Sequence, residues 1–423
     1  MTTTRAELPR DLSPKLFIDG LIAELRALAQ ISEAEPPVVT RVVFGEADLR
    51  ARAYVKKLCI AAGLTVSEDA IGNTFARWEG SEPSLAPVGT GSHIDAIPNA
   101  GLYDGCVGVL GGLAAIRVLQ KLGFRPRRSV ELVIFTAEEP TRFGIGCLGS
   151  RMMANVLKPA QALELCDKEG RGLDEWRAQA GFMGPLESIA QPAGRWHQFV
   201  ELHIEQGPLL EAEGIDLGLV THIAAPASQR IVIEGEGGHA GGRLMPGRKD
   251  ALAAAAELIL ALEAAAKSTG AIDTVATVGI CEVFPGAVNS IPSRVLITTD
   301  VRDTDGARRD GVLNSLRISS EEVAARRGVK ITAELVNADP PATCDAAILE
   351  AMEESAKTAG KSYKRMVSRA YHDSLFMARV APTAMLFIPC RGGVSHRPDE
   401  YASPEWIGSG VHVLARTLAA LAS

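Results

Sequence analysis

The spacing of apolar and polar positions predicts that the first half of the chain alternates strands and helices. Apolar residues recur at helical spacing over residues 17–29 and 47–62. Residues 105–119 form a third predicted helix, apolar on most sides. Three short apolar runs predict buried strands that end in polar residues: 88–93, 130–136 and 199–204. This order is typical of an α/β domain, in which ligands bind beyond the carboxyl ends of the strands.

The pattern changes after Leu219, where the order β-α-β-β-α-β predicts a small antiparallel sheet with two helices on one face. The predicted strands and helices are strands 229–234, 274–281, 294–301 and 329–335, and helices 249–266 and 306–327. Residues 337–341 are predicted to be the linker that returns the chain. We therefore predict a discontinuous α/β domain, with a central sheet flanked by helices, from residues 1–222 and 339–423. A ferredoxin-like α+β domain, residues 223–338, is inserted into it.

Composition and charge narrow the class of protein. The chain has 423 residues, 47% hydrophobic and 22% charged, which is typical of a soluble protein of two or three domains. A net charge of -7 gives no reason to expect nucleic acid or an anionic membrane as a partner. The seven cysteines are dispersed, which favours a reducing compartment, and we find neither a signal peptide nor a membrane-spanning run. We expect a cytoplasmic protein with no nucleic-acid or membrane partner.

Five separate segments of the chain each carry a side chain that binds metals. These imidazoles and carboxylates are His93, Asp104, the adjacent Glu138 and Glu139, His203 and His396. A mixed set of this kind suits Zn, Mn, Ni or Co at a hydrolytic site. Two metals that share a carboxylate activate water and polarise a carbonyl group. The chain has no GxSxG, GxxxxGK[ST] or HExxH motif that would indicate a different chemistry.

The candidate ligands also have structural interpretations. Asp104 precedes the predicted helix 105–119, so it either caps that helix or bridges metals. Asp95 lies two residues after His93 on extended backbone, where we expect its side chain to hold the imidazole and fix its tautomer. Adjacent carboxylates such as those after strand 130–136 repel each other unless cations or a shared proton compensate. As a set, these residues favour a metal site over isolated structural roles.

Further polar residues are candidates for substrate contacts, although each taken singly is typical of an ordinary surface. His239 lies in a glycine-flanked loop that can approach a ligand closely. Arg302 is a residue type that clamps a carboxylate through two parallel hydrogen bonds, and Asn289 precedes it in the inserted domain. His372 is either a helix-start cap or a functional residue, and we place it with the substrate contacts.

The motifs together resemble the M20 family of binuclear metal amidohydrolases, over about residues 41–421. The strings that carry the resemblance are 91–95, 103–105, 203–208 and 395–400. The likeness is to the branch of N-carbamoyl-L-amino acid hydrolases, β-ureidopropionase, allantoate amidohydrolase and ureidoglycolate amidohydrolase. Further segments look like the ureidoglycolate amidohydrolase type: 138–144, 147–151, 368–373 and 394–401.

The resemblance implies two divalent metal ions per subunit, Mn²⁺ or Zn²⁺, with Co²⁺ or Ni²⁺ as alternatives. The implied ligands are His93, Asp104, Glu139, His203 and His396, with Asp104 bridging. Glu138 is then the general base, and His239 contacts the transition state. Gln206, Asn289 and Arg302 are implied substrate contacts. The inserted domain is implied to be both a lid and the dimer interface of a homodimer.

We predict an amidohydrolase that cleaves the ureido C–N bond of a small carboxylate such as ureidoglycolate, releasing ammonia and CO₂. Hydrolysis of N-carbamoyl-L-amino acids, allantoate or β-ureidopropionate is the alternative with the same chemistry. An aminoacylase or peptidase of the same fold is a further alternative, which the string from His203 to Gln206 disfavours. The non-enzyme alternative is a catalytically silent protein that binds a small molecule. Such a protein would lack the general base or a metal ligand, and this sequence retains both.

Overall fold

The computed structural model describes residues 17–423 and divides the chain into two compact units. The first unit contains the described residues up to Thr221, together with residues 343–368 and 372–423. The second unit contains residues 222–342 and the tripeptide 369–371. Within residues 17–423 we find no helix with the length and apolar character needed to span a lipid bilayer.

The strands and helices are numbered here in chain order. The strands are β1 (Val39–Arg41), β2 (Thr65–Glu68), β3 (Thr74–Trp78), β4 (Val88–His93), β5 (Ala96–Ala100), β6 (Val130–Phe135), β7 (Gln198–Ile204), β8 (Leu217–Ile223), β9 (Ala225–Glu234), β10 (Gly238–His239), β11 (Val275–Phe284), β12 (Ser290–Ile291), β13 (Arg294–Asp303), β14 (Lys330–Ala338), β15 (Ala342–Thr343), β16 (Tyr363–Ser368) and β17 (Thr383–Ile388). The helices are α1 (Ile18–Ala29), α2 (Glu46–Ala61), α3 (Cys106–Lys121), α4 (Leu148–Met153), α5 (Pro159–Leu163), α6 (Leu173–Gln179), α7 (Leu209–Glu213), α8 (Ala251–Ser268), α9 (Gly306–Arg327), α10 (Ala346–Thr358), α11 (Asp373–Met377) and α12 (Pro404–Leu421).

The five predicted helices are confirmed as α1, α2, α3, α8 and α9. Side-chain caps mark the beginnings of α8 and α9. Helix α9 begins where the Asp305 side chain accepts a hydrogen bond from the Arg308 amide. It ends at Gly328, whose φ of 66° is a left-handed conformation that glycine adopts without strain. Helix α8 begins in the same way, since Asp250 accepts from the amides of Leu252 and Ala253.

The first unit is built on a large mixed sheet with the strand order β15-β8-β17-β7-β4-β6-β3-β2, and β16 pairs with β8. Four neighbouring strands, β17, β7, β4 and β6, run parallel to one another. Every residue of these four strands is buried, as expected for parallel strands covered on both faces. Helices α3 and α12 pack against each other and against β7. The predicted strands 88–93, 130–136 and 199–204 are confirmed as β4, β6 and β7.

The second unit contains an antiparallel sheet with the strand order β11-β13-β9-β14. Helices α8 and α9 pack on each other, and their apolar side chains form a core with those of the sheet. That core includes Ile231, Val295, Leu258 and Leu316. The long elements follow the predicted order β-α-β-β-α-β, interrupted only by the two-residue strands β10 and β12. Strand β14 continues to Ala338, so it includes the first two residues of the predicted linker.

Candidate metal centre

Three parallel strands bring polar side chains to one edge of the large sheet. His93 is the last residue of β4, and it lies opposite Phe135, the last residue of β6. Glu138 and Glu139 follow β6 after a short turn. His203 is the penultimate residue of β7, and its ring lies 6.1 Å from the ring of His93. The carboxyl ends of parallel strands are the usual place for a ligand in such a sheet.

Asp104 lies at the centre of this cluster. Its Oδ1 is 3.6 Å from Nε2 of His93 and 3.2 Å from Nε2 of His203. Its Oδ2 is 3.2 Å from Nε2 of His396. The N-cap of α3 is Gly105, and the Asp104 carboxylate accepts hydrogen bonds from Gln206 Nε2 (2.9 Å) and the Ser395 hydroxyl (3.0 Å). The geometry therefore favours the metal-bridging interpretation of Asp104 over the helix cap.

Glu138 and Glu139 have different neighbours. Glu139 Oε1 lies 3.3 Å from Nε2 of His396, whereas Glu138 Oε2 lies 3.7 Å from Nε2 of His93. Two sets of potential metal ligands result, in each of which the ligand atoms lie within 4.8 Å of one another: His93 with Asp104 and His203, and Asp104 with Glu139 and His396. Asp104 belongs to both sets, as a residue that bridges two ions must.

Backbone carbonyl groups orient two of the imidazoles. Nδ1 of His93 lies 3.0 Å from the carbonyl oxygen of Asp95, and Nδ1 of His203 lies 2.9 Å from that of Ile204. With the proton on Nδ1, each ring directs the lone pair of Nε2 towards Asp104. Histidine ligands of metals are characteristically held in this way.

The structure places the Asp95 side chain beside the His93 imidazole, as expected, with its Oδ1 3.6 Å from Nδ1. The same Nδ1 lies closer to the Asp95 carbonyl oxygen (3.0 Å), and the Asp95 carboxylate also accepts from the amides of Glu138 (3.2 Å) and Glu139 (3.1 Å). Asp95 therefore connects the ends of β4 and β6 and fixes the backbone of both glutamates. The spacing in the sequence predicted that Asp95 faces the site. It could not predict that the amides of Glu138 and Glu139, after β6, are hydrogen-bond partners of Asp95.

The centre concentrates buried carboxylates. The pKa of Glu138 is raised well above its usual value, mainly by burial and further by the neighbouring Glu139 carboxylate. The nearby His93 opposes this shift but does not outweigh it. Burial also raises the pKa of Glu139. Hydrogen bonds to Asp104 and Glu139 raise the pKa of His396 to about 11. For His93, burial lowers the pKa, but Glu138 and the two nearby aspartates outweigh it and raise the pKa well above normal. Such a cluster holds either protons or metal cations.

The spacing of the side chains fits a metal ion. Bonds of about 2.0–2.2 Å to a tetrahedral ion place neighbouring ligand atoms roughly 3.4 Å apart. The imidazole–carboxylate separations around Asp104 and Glu139 are 3.2 to 3.6 Å. Nitrogen and oxygen donors of this kind suit Zn, Mn, Co and Ni. The residues present therefore fit the metal pair that the sequence predicted.

Backbone strain accumulates at the same place. Ala137, Gln206 and His396 have positive φ angles of 55°, 55° and 58°, in the left-handed region that side chains other than glycine rarely adopt. Ala137 precedes the two glutamates, and Gln206 follows the end of β7. Strain of this kind persists where the surrounding structure enforces it, and it is common at functional sites.

His372 lies in the first unit, beside the cluster. It is the N-cap residue of α11, as the helix-start interpretation predicts, but its side chain makes no capping hydrogen bond. Its ring lies 4.4 Å from the ring of His203, and its Nε2 is 3.2 Å from the Ser368 hydroxyl. The placement keeps His372 as a candidate substrate contact.

Three further predicted contacts, His239, Asn289 and Arg302, belong to the second unit. His239 is exposed on β10, and the amide of Ala240 donates to the carbonyl oxygen of Asn289 (2.8 Å), so the structure brings His239 and Asn289 together. Arg302 lies on β13. Its Nε and Nη2 donate to Asp300, with Nη2 2.9 Å from Oδ2. A substrate carboxylate would therefore compete with Asp300 for this edge of the guanidinium group. The sequence interpretation of Arg302 as a clamp did not include this partner.

One buried residue of the site was not singled out from the sequence. Glu400 accepts hydrogen bonds at Oε1 from the amides of Tyr103 (2.8 Å) and Asp104 (3.1 Å). Its Oε2 lies 2.8 Å from the Ser395 hydroxyl, whose single proton is shared between Glu400 and Asp104. Burial raises the pKa of Glu400 to about 7. Glu400 thus joins the turn that carries Asp104 to the loop that carries His396. Its only sequence signal was its place in the string 395–400.

Replacing Gly105 by alanine is expected to abolish metal binding. Gly105 has a φ of 61°, and an added Cβ would collide with the imidazole of His93. Gly63→Ala is the matched control, because Gly63 has a φ of 77° with no atom within 4 Å of the added carbon. Elemental analysis of both purified variants measures their metal content. Retention of the full metal content by folded Gly105→Ala would contradict the assignment of His93.

A mixed α/β fold with an imidazole–carboxylate cluster at the ends of parallel strands defines a metal-dependent hydrolase. The chain belongs to the family described as Peptidase family M20/M25/M40, whose model matches residues 89–420. It is 51% identical to the ureidoglycolate hydrolase of Arabidopsis thaliana, over 97% of this chain and 88% of the relative. It is 38% identical to the N-carbamoyl-L-amino acid amidohydrolase of Geobacillus stearothermophilus, over 96% of this chain and 98% of the relative.

Two solved structures have a fold similar to that of this chain. The crystal structure of AtUAH in complex with glyoxylate matches with a TM-score of 0.89 at 50% identity, over 96% of this chain and 98% of that chain. The crystal structure of a hydantoinase/carbamoylase family amidase from Burkholderia vietnamiensis matches with a TM-score of 0.88 at 36% identity, over 97% and 99% of the two chains.

Proposed function

We propose that this protein hydrolyses the ureido group of a small carboxylate, and that ureidoglycolate is its substrate. The observation that carries the proposal is the complete cluster around Asp104, with a glutamate beside it that is not needed as a ligand. The identity of 51% to the ureidoglycolate hydrolase of Arabidopsis thaliana favours ureidoglycolate. The 38% identity to an N-carbamoyl-L-amino acid amidohydrolase makes N-carbamoyl-L-amino acids the second candidate.

We assign the metal ligands as predicted from the sequence. His93 and His203 would hold one ion, Glu139 and His396 the other, and Asp104 would contribute one oxygen to each. A pair of divalent ions supplies Lewis-acid polarisation of the carbonyl group and acidifies water. Gln206 and Ser395 hold the Asp104 carboxylate in place through hydrogen bonds to Oδ2.

Glu138 is the proposed general base. It takes a proton from the attacking water as the water oxygen bonds to the ureido carbonyl carbon. It then gives that proton to the terminal nitrogen as the C–N bond breaks, so ammonia leaves. The remaining carbamate loses CO₂ and leaves the amine. Burial raises the pKa of Glu138, which makes it a stronger proton acceptor than an exposed glutamate.

The substrate contacts complete the proposal. Gln206 and His372 lie in the first unit, and His239, Asn289 and Arg302 lie in the second. We assign residues 17–222 and 339–423 to a catalytic domain and residues 223–338 to a lid and dimerisation domain. Residues 1–16 of the predicted catalytic domain lie outside the described residues. In this arrangement His239 donates a hydrogen bond to the oxyanion that forms during water attack, and Arg302 binds the substrate carboxylate.

A substrate panel tests the proposed function. The purified protein, reconstituted in turn with Mn²⁺, Zn²⁺, Co²⁺ and Ni²⁺, is assayed against ureidoglycolate, N-carbamoyl-L-amino acids, allantoate and N-acyl amino acids. We expect ammonia release, with ureidoglycolate giving the highest kcat/KM. Faster turnover of N-carbamoyl-L-amino acids would select the second candidate. Turnover of N-acyl amino acids alone would contradict ureido hydrolysis.

Subunit complementation is expected to show that His239 acts on the site of the partner subunit. A two-fold contact through the second unit places equivalent surfaces face to face, so the loop of one subunit reaches the other. Loss of an oxyanion donor costs on the order of 3 kcal/mol, so His239→Ala alone should be nearly inactive. Mixing it with inactive Glu138→Gln should restore activity, because one site of each mixed dimer then has both residues.

Each variant alone, carried through the same exchange procedure, is the control for this experiment. Subunit exchange is verified with differently tagged chains, so that a negative result has a defined meaning. Verified exchange without recovered activity would exclude action of His239 across the dimer.

A further inference from the structure

The hydrogen-bond ladder between β4 and β7 ends before these strands reach the metal centre. Thr90 opposite Val200 is their last pair. In contrast, β4 remains paired with β6 as far as His93, and β7 remains paired with β17 as far as Ile204. The sheet therefore opens between the two strand ends that carry His93 and His203. The ladder of backbone hydrogen bonds between β4 and β7 does not reach the level of these two imidazoles.

Helix α3 packs at this opening. An added Cβ at Gly108 would collide with the carbonyl oxygen of Leu202 in β7 and with the side chain of Ser92 in β4. The helix thus approaches both strands more closely than any residue with a side chain would allow.

One buried carboxylate bridges the opening. The Ser92 hydroxyl in β4 donates to Oε1 of Glu201 in β7 (2.7 Å). The hydroxyl and the amide of Ser374 donate to Oε2 of the same carboxylate (2.6 and 3.1 Å). All three residues are completely buried. Glu201 therefore connects β4 and β7 to the first turn of α11, whose N-cap residue is His372.

Glu201 also lies near His203 and His372, with potential ligand atoms within 4.8 Å of one another. A third metal ion does not suit this group, because the two ring nitrogens of His203 already face Asp104 Oδ1 and the Ile204 carbonyl oxygen. Nε2 of His372 is in addition within 3.2 Å of the Ser368 hydroxyl. The contacts of Glu201 therefore indicate a residue that connects structural elements.

We infer that Glu201 is a positioning residue that clamps β4 to β7 and thereby sets the separation of His93 and His203 for metal binding. The inference rests on the proposed function, in which both histidines bind metal. In this role Glu201 acts through the elements that it connects. Removal of partners that orient metal ligands typically weakens metal binding by about 10- to 100-fold.

Ser92→Ala provides the first test, because it removes one arm of the clamp and leaves every proposed ligand unchanged. Ser129→Ala is the control, since Ser129 is also completely buried but lies before the first residue of β6, at the other end of that strand. Metal affinity of the metal-free proteins is measured by competition with a chelating dye, and ligand geometry by the visible spectrum of bound Co²⁺. We expect Ser92→Ala to bind metal about 10- to 100-fold more weakly. Ser374→Ala should have a smaller effect, because the Ser374 amide still donates.

Substitutions of Glu201 separate hydrogen bonding from charge. Glu201→Gln keeps an acceptor for Ser374 and offers a donor to Ser92, so we expect metal affinity near that of the unmodified protein. Glu201→Ala should bind metal as weakly as Ser92→Ala or more so. Glu131→Ala is the control, because it removes a buried carboxylate that lies opposite Gly89, near the amino ends of these strands. Should Glu201→Ala fail to fold, the comparison of Ser92→Ala with Ser129→Ala decides.

Two results would overturn the inference. One is metal binding by folded Ser92→Ala with the affinity and Co²⁺ spectrum of the unmodified protein. The other is Glu201→Gln that folds normally but binds metal as weakly as Glu201→Ala, which would assign the role to charge. If the unmodified protein itself binds no divalent metal, the proposed function fails first, and the two failures are distinguished.

Discussion

Removal of divalent metal is expected to abolish turnover completely while most of the fold persists. The proposed ligands lie at the ends of β4 and β7 and in loops, and the large sheet is held by apolar side chains and by its own hydrogen bonds. Without cations, burial raises the pKa of Glu138 and Glu139. Burial also raises the pKa of Asp104, but hydrogen bonds from the imidazoles outweigh it and lower that pKa well below its usual value. The polarised carbonyl and the acidified water are then both lost.

Dialysis against a chelator followed by re-addition of Mn²⁺ or Zn²⁺ measures this effect. Activity should disappear and return, while far-UV circular dichroism changes little. Chelator saturated with Zn²⁺ before use is the control for effects of the chelator itself. Undiminished turnover by protein that elemental analysis shows to be free of metal would end the two-metal mechanism.

Glu138→Gln is expected to retain metal but to lose turnover by roughly two to four orders of magnitude, the usual contribution of a general acid–base group. Glu139→Gln is expected to lose metal, because Glu139 Oε1 faces His396 in the second ligand set. The two substitutions are isosteric and adjacent in sequence, so each serves as the control for the other. Asp95 holds both residues by their backbone amides, which neither substitution removes.

Metal content and single-turnover kinetics of the two variants distinguish these roles. We expect Glu138→Gln to contain two ions per subunit and Glu139→Gln to contain fewer. Loss of metal from Glu138→Gln, with retention in Glu139→Gln, would exchange the assigned roles. Full activity of Glu138→Gln would require a different base.

The elements that the sequence predicted are those with a clear local period. Helices α3 and α9 and strands β4, β6 and β7 follow from apolar spacing, because each is long or fully buried. We located no elements within residues 339–423, although β17, α10 and α12 lie there. Strand β17 is a continuous apolar run, and periodicity alone does not separate such a run from a buried helix.

The candidate site shows the same division between local and tertiary information. The residue types around Asp104 were enough to predict a metal site, because imidazoles and carboxylates rarely cluster without a cation. Their partners did not, because those partners are distant in sequence. The bond from Ser92 to Glu201 spans 109 residues, and the bond from Glu400 to the Tyr103 amide spans 297. Only the folded chain reveals that these acids are buried connectors.

The place of β17 in the sheet has a consequence for synthesis of the protein. This strand lies between β7 and β8, yet the ribosome makes it only after the whole second unit. Until then, a nascent chain has facing edges of β7 and β8 with unpaired amides and carbonyls, and such edges invite aggregation. His396 follows β17, so the proposed ligand set is also incomplete until the end of translation. A chain that terminates early is thus left without a closed sheet and without the full set of metal ligands.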